Sequence, residues 1–330
     1  MGRRRISSPN PARSSLVHPL RDRVLSSSNP LSNGASVVNT SSVITLLNIA
    51  ALVAIMLSMG MKVTLESLLA SARRWRLLLI GLIANYVIVP AVTVVLLLLF
   101  QTSPVVSVGF LTLAVCPGAP FAPLVTAIAK GNVPSAIALM LILAGPSALL
   151  SPTVLSLLVS RLAPGSDLHI DSIAVAKNLF LTQMLPLALG MVIHHAAPSL
   201  THWTVKPVSV LANVLLLALL GLIVATQYES LAAIHFRGWM GMSLLLLASL
   251  WIGWLSGSSD QPTRKAMVIA TATRNAAVAL VIVTTNYAGT PAVTAVVAYG
   301  LFSTLGALGY ALLFSRFADT EPWTSEQTVR

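Results

Sequence analysis

The chain has 330 residues, of which 56% are hydrophobic and only 9% are charged, and its formal net charge is +11. This composition excludes an ordinary soluble domain, in which about a quarter of the residues are charged. No charged residue occurs between Arg76 and Lys130, a stretch longer than one membrane span of ~20 residues. The sequence therefore predicts an all-α polytopic membrane protein.

Residues 1–40 are rich in Ser, Arg, Asn and Pro and nearly free of acidic residues. Such a composition predicts a disordered basic tail, and the apolar core of a secretory signal is missing from it. A transit peptide is the alternative interpretation. We assign residues 41–317 to the transmembrane domain and residues 318–330 to a C-terminal tail.

Nine apolar segments follow the tail, and each is long enough to span a bilayer. The loops at one end of these segments carry most of the basic residues, which predicts that this end and the C-terminus are cytoplasmic. We therefore expect a multi-pass protein surrounded by lipid, in the plasma (inner) membrane. The predicted spans are 42–61, 76–100, 105–128, 132–160, 172–195, 207–227, 237–257, 266–287 and 291–316.

The positive net charge does not predict a nucleic-acid partner, because the basic residues lie in the tail and in loops that flank apolar segments. The single cysteine, Cys116, excludes an intrachain disulfide and a cysteine-rich metal site. The motifs HExxH and GxSxG and a phosphate-binding P-loop are absent from the sequence. We therefore expect neither an enzyme nor a bound metal or cofactor.

Two of the nine spans carry helix-breaking or polar residues at their centres. The third contains Pro117, Pro120 and Pro123, and proline removes backbone donors and clashes with the preceding turn. The eighth contains the polar stretch 271–275. Each is the third member of a block of four spans, an arrangement typical of inverted repeats whose broken helices cross at a midplane binding site. Two unrelated kinks are the alternative.

Arg274 lies near the centre of the eighth span, where an arginine costs roughly 2.5 to 3.5 kcal/mol on insertion scales. No Asp or Glu lies in any predicted span to pair with it. Its planar fork of donors suits a carboxylate, sulfonate or phosphate, which predicts an anionic ligand. The alternative is a structural role, in which Arg274 binds the backbone carbonyls opened by the break.

The breaks and their polar neighbours define the predicted substrate site. Cys116 opens the first break, where a small residue used for packing is favoured over thiol chemistry. The candidate substrate-binding residues are Asn85, Cys116, Pro120, Pro123, Thr126, Thr271, Thr273, Arg274 and Asn275.

Six motifs occur in the order in which they occur in one known family. The motifs are "MLSMGMKVTLESL" (56–68), "NYVIVP" (85–90), "CPGAPFAP" (116–123), "AKGNV" (129–133), "LLSP" (149–152) and "LPLALGMVIHH" (185–195). By these motifs the chain resembles the bile acid:sodium symporter family from about residue 42 to residue 316. The resemblance implies core and panel domains and two crossing broken helices, in a nine-span variant that lacks the first helix of ten-span members.

The chain departs from the sodium-coupled members of that family at the positions that hold the ion. Those members carry a Glu and a Gln in the second broken helix, and the matching positions here are Ala270 and Arg274. Their Ser–Asn pair after the first break matches residues 122–123, and the Gln of the preceding helix matches Asn85. Because sodium needs a cage of oxygens, usually with a carboxylate, we expect the usual sodium sites to be absent.

The resemblance implies a secondary transporter for a small organic anion that binds near the membrane midplane between the broken helices. The coupling ion is left open, and sodium is doubtful. The alternatives are a sodium-independent facilitator or anion exchanger, an arsenite-type permease, and a sensor that does not transport.

Overall fold

The computed structural model describes Gly2, residues 40–63, Glu66, and residues 74–162, 172–226, 228–287 and 289–316. The predicted basic tail, apart from Gly2 and Thr40, and the predicted C-terminal tail lie outside the described residues. Within the described part every regular element is helical, which confirms the all-α fold class. The helices are α1 (Thr40–Lys62), α2 (Trp75–Leu99), α3 (Pro104–Ala114), α4 (Ala122–Ile128), α5 (Val133–Leu162), α6 (Ser172–Ala196), α7 (Pro198–Thr226), α8 (Tyr228–Ala232), α9 (Phe236–Ser256), α10 (Gln261–Ala272), α11 (Ala276–Asn286) and α12 (Pro291–Arg316).

Eight segments of the described chain are long and apolar enough to cross a membrane, with α10 and α11 together forming one of them. The predicted third span is present as α3 and α4, and neither of these helices reaches 18 residues. The interruption between them therefore explains why eight long segments are found where nine spans were predicted. The polytopic membrane architecture is confirmed.

The predicted start of the sixth span, at residue 207, is wrong. Helix α7 begins nine residues earlier, at Pro198, and continues through Pro207. Proline is well tolerated at the first position of a helix, where its missing N–H would have no partner. An interior proline removes one hydrogen bond but does not end so long an apolar helix, and Pro207 is therefore not a boundary.

Helices α2 and α6 each contain a π turn close to a proline. The turn Ala84–Ile88 lies two residues before Pro90, and the turn Phe180–Met184 lies two residues before Pro186. A proline cannot donate to the turn before it, so the backbone bonding pattern changes there. Turns of this kind often occur at functional sites. The first one carries Asn85 towards the centre of the protein.

The eighth span is the central element of the bundle. In its most apolar window 94% of the residues are buried, whereas the corresponding share is 50% or less in the other long helices of the described chain. Helix α10 packs against α4, α5 and α9, and α11 packs against α1, α3 and α12. The stretch between α10 and α11 is therefore enclosed by helices from both halves of the sequence.

Glycines permit the closest helix crossings. A Cβ atom on Gly60 of α1 would overlap the backbone of Leu187, and one on Gly190 of α6 would overlap the carbonyl oxygen of Leu57. These positions leave no room for any side chain. Such use of small residues is typical of helix packing in membranes, where close backbone approach replaces the hydrophobic effect.

Candidate functional site

The two interrupted helices meet at their breaks. The first break separates Ala114, the last residue of α3, from Ala122, the first residue of α4. The second lies between α10 and α11, at residues 273–275. The backbone N–H of Asn275 donates to the carbonyl oxygen of Cys116 at 2.8 Å, so the two breaks are in direct contact. The predicted crossing of the two broken helices is confirmed, whereas the inverted symmetry of the two halves stays a prediction.

The backbone of the first break is stabilised by partners from other elements. Ser151 Oγ of α5 donates to the carbonyl oxygen of Val115 at 2.6 Å. Asn275 Nδ2 donates to the carbonyl oxygen of Gly118 at 3.4 Å. These bonds satisfy carbonyl groups that the broken helix leaves without an intrahelical donor, as the low dielectric of a membrane interior requires.

Gly118 determines the shape of the first break. Its φ is +84°, a conformation that side chains with a Cβ atom rarely adopt. A Cβ atom at this position would also lie 2.6 Å from the backbone nitrogen of Ala144 on α5. The break is therefore packed directly against the backbone of α5, and only glycine fits there.

Arg274 lies at the crossing and is 1% exposed. Its Nη1 donates to Asn85 Oδ1 at 3.1 Å and to the carbonyl oxygen of Ala114 at 3.3 Å. Its Nη2 donates to the carbonyl oxygen of Thr271 at 2.7 Å. Among the described residues nothing accepts a hydrogen bond from its Nε. The guanidinium group therefore bridges the C-terminal ends of α3 and α10.

The charge of this bridge is not balanced by an acid. The C-terminal end of a helix carries about half a negative charge, and Arg274 places a full positive charge between two such ends. No Asp or Glu lies within any of the eight long apolar segments of the described chain. Because the N-terminal ends of α4 and α11 begin at the same crossing, the region is electropositive and suited to an anion.

Five of the nine candidate residues are joined by contacts in this structure. Asn85 accepts from Arg274, and its Nδ2 donates to Thr271 Oγ1 at 3.4 Å. Thr271 also offers its carbonyl oxygen to Arg274, while Asn275 binds the backbone of Cys116. These side chains and backbone groups form one buried network, which we call the crossing network and which links α2, α10 and both breaks.

For the other four candidates the described part of the chain shows no hydrogen bond to this network. Thr126 Oγ1 donates to the carbonyl oxygen of Ala122, and Thr273 Oγ1 donates to that of Ile269, so both bond to their own helices. The remaining two, Pro120 and Pro123, are partly exposed at the start of α4.

The crossing is closed in this structure. Seven of the nine candidate residues are buried, and none of the nine lines any of the four cavities that the structure describes. The substrate pocket that they are predicted to line therefore stays a prediction. In this conformation Arg274 bonds to Asn85 and to backbone carbonyls at the breaks. These are the contacts expected if the role of Arg274 is structural.

Sequence reasoning missed several polar residues around the crossing. Tyr86 and Tyr299 lie close enough to Arg274 for electrostatic interaction, and the hydroxyl of Tyr86 donates to the carbonyl oxygen of Leu143 at 2.7 Å. Gln183, in the π turn of α6, donates to Ser147 Oγ at 2.8 Å. A buried polar side chain in an apolar span was the available signal for all three.

The comparisons with known proteins agree with this architecture. The family model described as "Sodium Bile acid symporter family" matches residues 49–234. The chain is 26% identical to the rice protein named "Probable sodium/metabolite cotransporter BASS2, chloroplastic" over 50% of this chain and 38% of that protein. It is 24% identical to the "Uncharacterized sodium-dependent transporter YocS" of Bacillus subtilis over 72% of this chain and 74% of that protein.

The chain thus spans about two fifths of the length of the rice relative and about three quarters of the bacterial one. The family match covers more than half of the chain and includes the second half of α1, the first broken helix and both π turns. This protein belongs to the sodium bile acid symporter family.

Proposed function

We propose that this protein is a secondary transporter for a small organic anion and that Arg274 takes the electrostatic place of the sodium ion used by coupled relatives. The observation that carries the proposal is the position of the guanidinium group, which lies between the C-terminal ends of α3 and α10. In transporters with broken helices, such carbonyl ends coordinate the coupling cation. A tethered cation at this place makes a bound sodium ion unnecessary.

Two matched positions support this replacement. Arg274 stands where coupled relatives carry a Gln, and the position of their Glu is Ala270, which is buried beside the crossing. A carboxylate at residue 270 would pair with the arginine and neutralise it, so the loss of the Glu is consistent with the gain of the Arg. Asn85, at the position of the relatives' helix Gln, accepts a hydrogen bond from Arg274 and so belongs to the same crossing network.

The mechanism requires no covalent chemistry. The substrate anion approaches the crossing from one side when the helices around the breaks separate, and it is attracted by the charge of Arg274 and by the N-terminal end of α11. Pro120 and Pro123, which are partly exposed at the start of α4, are proposed to contact the anion on its way in. Closure of the helices then returns the crossing to the packed arrangement described above.

The test is binding and uptake of carboxylates and sulfonates by the purified protein in liposomes. Arg274→Gln should weaken anion affinity by at least ~1.5 kcal/mol, the low end for a charged hydrogen bond. Anion uptake by the unaltered protein should persist when sodium is replaced by potassium or choline. Arg161→Gln, at the exposed end of α5, is the matched control and should leave affinity unchanged.

The double variant Arg274→Gln with Ala270→Glu recreates the Gln and Glu of coupled relatives and should gain partial sodium dependence. Full dependence is not expected, because residues 122–123 lack the Ser–Asn pair. The proposal fails if uptake by the unaltered protein requires sodium, or if Arg274→Gln leaves anion affinity intact. Arg274 would then be a structural residue that binds the carbonyls of the breaks.

A sodium-independent facilitator or anion exchanger is the second candidate function. The absence of Asp and Glu from the long apolar segments of the described chain favours it, because proton coupling also needs a titratable group in the pathway. Liposomes distinguish the two functions. A facilitator equilibrates the anion and an exchanger requires a second anion inside, whereas coupled transport accumulates the anion against its gradient.

A further inference from the structure

A second site is suggested by two cavities at the opposite end of the bundle from the basic loop that contains Lys130. One has a volume of about 240 Å³ and lies between α2, α3 and α9. The other has a volume of about 490 Å³ and lies between α3, α9 and α12. Both are lined by Val106, Phe110, Gly238 and Met242, so they are adjacent. We call this space the vestibule.

The walls of the vestibule are apolar and its mouth is basic. Leu96, Leu97 and Leu245 line the smaller cavity together with Phe110. At the mouth, Arg237 Nη2 donates to the carbonyl oxygen of Phe100 at 3.1 Å, which holds the guanidinium group at the C-terminal end of α2. Neither set of lining residues includes an Asp or a Glu. The vestibule therefore presents a positive charge above an apolar chamber.

Glycine creates part of this space. Gly238 and Gly241 place bare backbone on the face of α9 that lines the smaller cavity. A Cβ atom on Gly241 would find its nearest neighbour, the ring of Phe100, at 3.8 Å, an ordinary contact distance. A side chain at residue 241 therefore fits without strain, and a larger one would extend into the vestibule.

The position of the vestibule suits an amphipathic ligand. Trp239, near the start of α9, is 45% exposed and packs edge-on against Phe302. Tryptophans at the ends of membrane helices lie at the interface between water and lipid, so the mouth lies at the level of the lipid headgroups. A ligand that enters from there places its charge at the mouth and its apolar part inside.

We propose that the vestibule binds a single-chain amphipathic carboxylate, with the carboxylate on Arg237 and the chain between Phe110, Met242 and Leu245. Arginine recognises a carboxylate with its planar fork of donors. The smaller cavity, next to Arg237, is apolar and accommodates the chain. The site shares no residue with the crossing network, so this inference is independent of the proposed transport function.

The test is photo-crosslinking of the full chain in phosphatidylcholine nanodiscs with a diazirine-bearing C12 fatty acid, followed by mapping of the labelled peptides. Saturable labelling of the peptides that hold residues 93–110 and 234–245 is expected. Dodecanoate should compete at least tenfold better than dodecyltrimethylammonium, which has the same chain length and the opposite charge, and better than phosphatidylglycerol. Arg274→Gln should leave the labelling unchanged, which separates this site from the crossing.

Two pairs of variants test separately the binding of the carboxylate and the binding of the apolar chain. Arg237→Gln should reduce the competition by dodecanoate about tenfold, whereas Arg161→Gln, another exposed arginine at the end of a long helix, should not. Gly241→Leu should abolish the labelling, whereas Gly221→Leu, at an open position on α7, should not. Unchanged melting temperatures of all four variants verify that they fold.

The proposal is overturned if dodecyltrimethylammonium or phosphatidylglycerol competes as well as dodecanoate, because the cavity would then hold ordinary membrane lipid. It is equally overturned if the labelled peptides lie elsewhere, or if Arg237→Gln leaves the competition unchanged. The Arg237 variant decides the question even where Gly241→Leu does not fold, because the side chain of Arg237 is exposed and the bond lost is a surface hydrogen bond to the carbonyl oxygen of Phe100.

Discussion

At the scale of single residues, Arg274 has two properties, its charge and its bridging hydrogen bonds, and the sequence alone does not indicate which of them matters for function. It carries a charge that no acid of the long apolar segments balances, and it bridges oxygen atoms of three different elements. A buried guanidinium group is tolerated when its donors are bonded and negative partial charges lie close to it. Asn85 and the C-terminal ends of α3 and α10 bond Nη1 and Nη2 and so account for its burial, while Nε has no acceptor among the described residues.

Arg274→Lys separates the charge from the bridge. A lysine keeps the positive charge but has no planar fork, so it cannot reach Asn85, Ala114 and Thr271 at once. We expect its free energy of unfolding to fall by about 1 to 3 kcal/mol, because buried acceptors lose their partners. Anion affinity should fall less than in Arg274→Gln. Thermal unfolding and anion binding, measured on both variants, check this, and equal losses of affinity would show that the charge alone does not attract the anion.

Asp260 caps α10 at a position outside the bilayer. Its side chain accepts a hydrogen bond from the backbone N–H of Thr263 at 3.0 Å. Burial alone would raise the pKa of Asp260, but hydrogen bonds from Thr263 and Ser258 and the charge of Arg74 lower it below its usual value. Because the folded pKa lies below the unfolded one of about 3.9, the stabilisation is complete above that pH and is lost as the pH falls below it.

We expect Asp260→Ala to lower the free energy of unfolding by about 1 kcal/mol, the typical value for a lost N-cap. Asp260→Asn keeps an acceptor for Thr263 but has no charge to lose. The difference in stability between the unaltered protein and Asp260→Asn should therefore shrink as the pH falls below about 4, where the carboxylate takes up a proton. Thermal unfolding in detergent at several pH values measures this, and a difference that stays constant with pH would contradict it.

At the scale of the elements, the first broken helix depends on a contact with α5. Gly118→Ala adds a Cβ atom both at a positive φ and 2.6 Å from the backbone of Ala144. We expect a loss of roughly 2 kcal/mol or more in the free energy of unfolding, since a strained backbone position alone costs about 1 to 3 kcal/mol. Gly145→Ala is the matched control.

Gly145 lies on α5 next to Ala144, and a Cβ atom there meets nothing within 4 Å. Replacing a helical glycine by alanine typically stabilises by about 0.5 to 1 kcal/mol, so the control should unfold at the same or a higher temperature. Melting temperatures of the two variants, measured in the same detergent, decide the matter. If Gly118→Ala is as stable as the control, the first break is able to move away from α5.

The positions of both breaks are predictable from the sequence, whereas the contacts between them are not. The proline cluster and the polar stretch at 271–275 predicted interruptions that lie within a few residues of those observed. Proline and buried polar residues carry that information locally. The partners of Arg274 include the carbonyl oxygens of Ala114 and Thr271. Every residue has a backbone carbonyl, so the residue type does not indicate which one accepts a hydrogen bond. Pro207 shows the reverse error, because a local helix breaker lies inside a continuous helix.

At the scale of the whole molecule, α5, α9 and α12 pack around the crossing network, so a substrate that binds there, as we propose, reaches it only through a rearrangement. Asn85, Thr126 and Asn275 have no exposed surface in this structure. Transport by alternating access requires two conformations in which the site opens to one side or the other. The packed crossing therefore represents a state in which the site is closed, and its opening should be measurable.

Cysteine labelling from each side of the membrane tests that opening. In a Cys116→Ala background, Asn85→Cys, Thr126→Cys and Asn275→Cys should react slowly with a membrane-impermeant thiol reagent, because the side chains are buried in the closed state. Substrate should change the reaction rates severalfold, since a ligand shifts the population towards the state that binds it more tightly. Ser259→Cys, in the loop before α10, is the exposed control and should react fast whether or not substrate is present. If none of the three buried positions reacts from either side under any condition, the substrate does not pass the crossing, and the transport path lies elsewhere in the bundle.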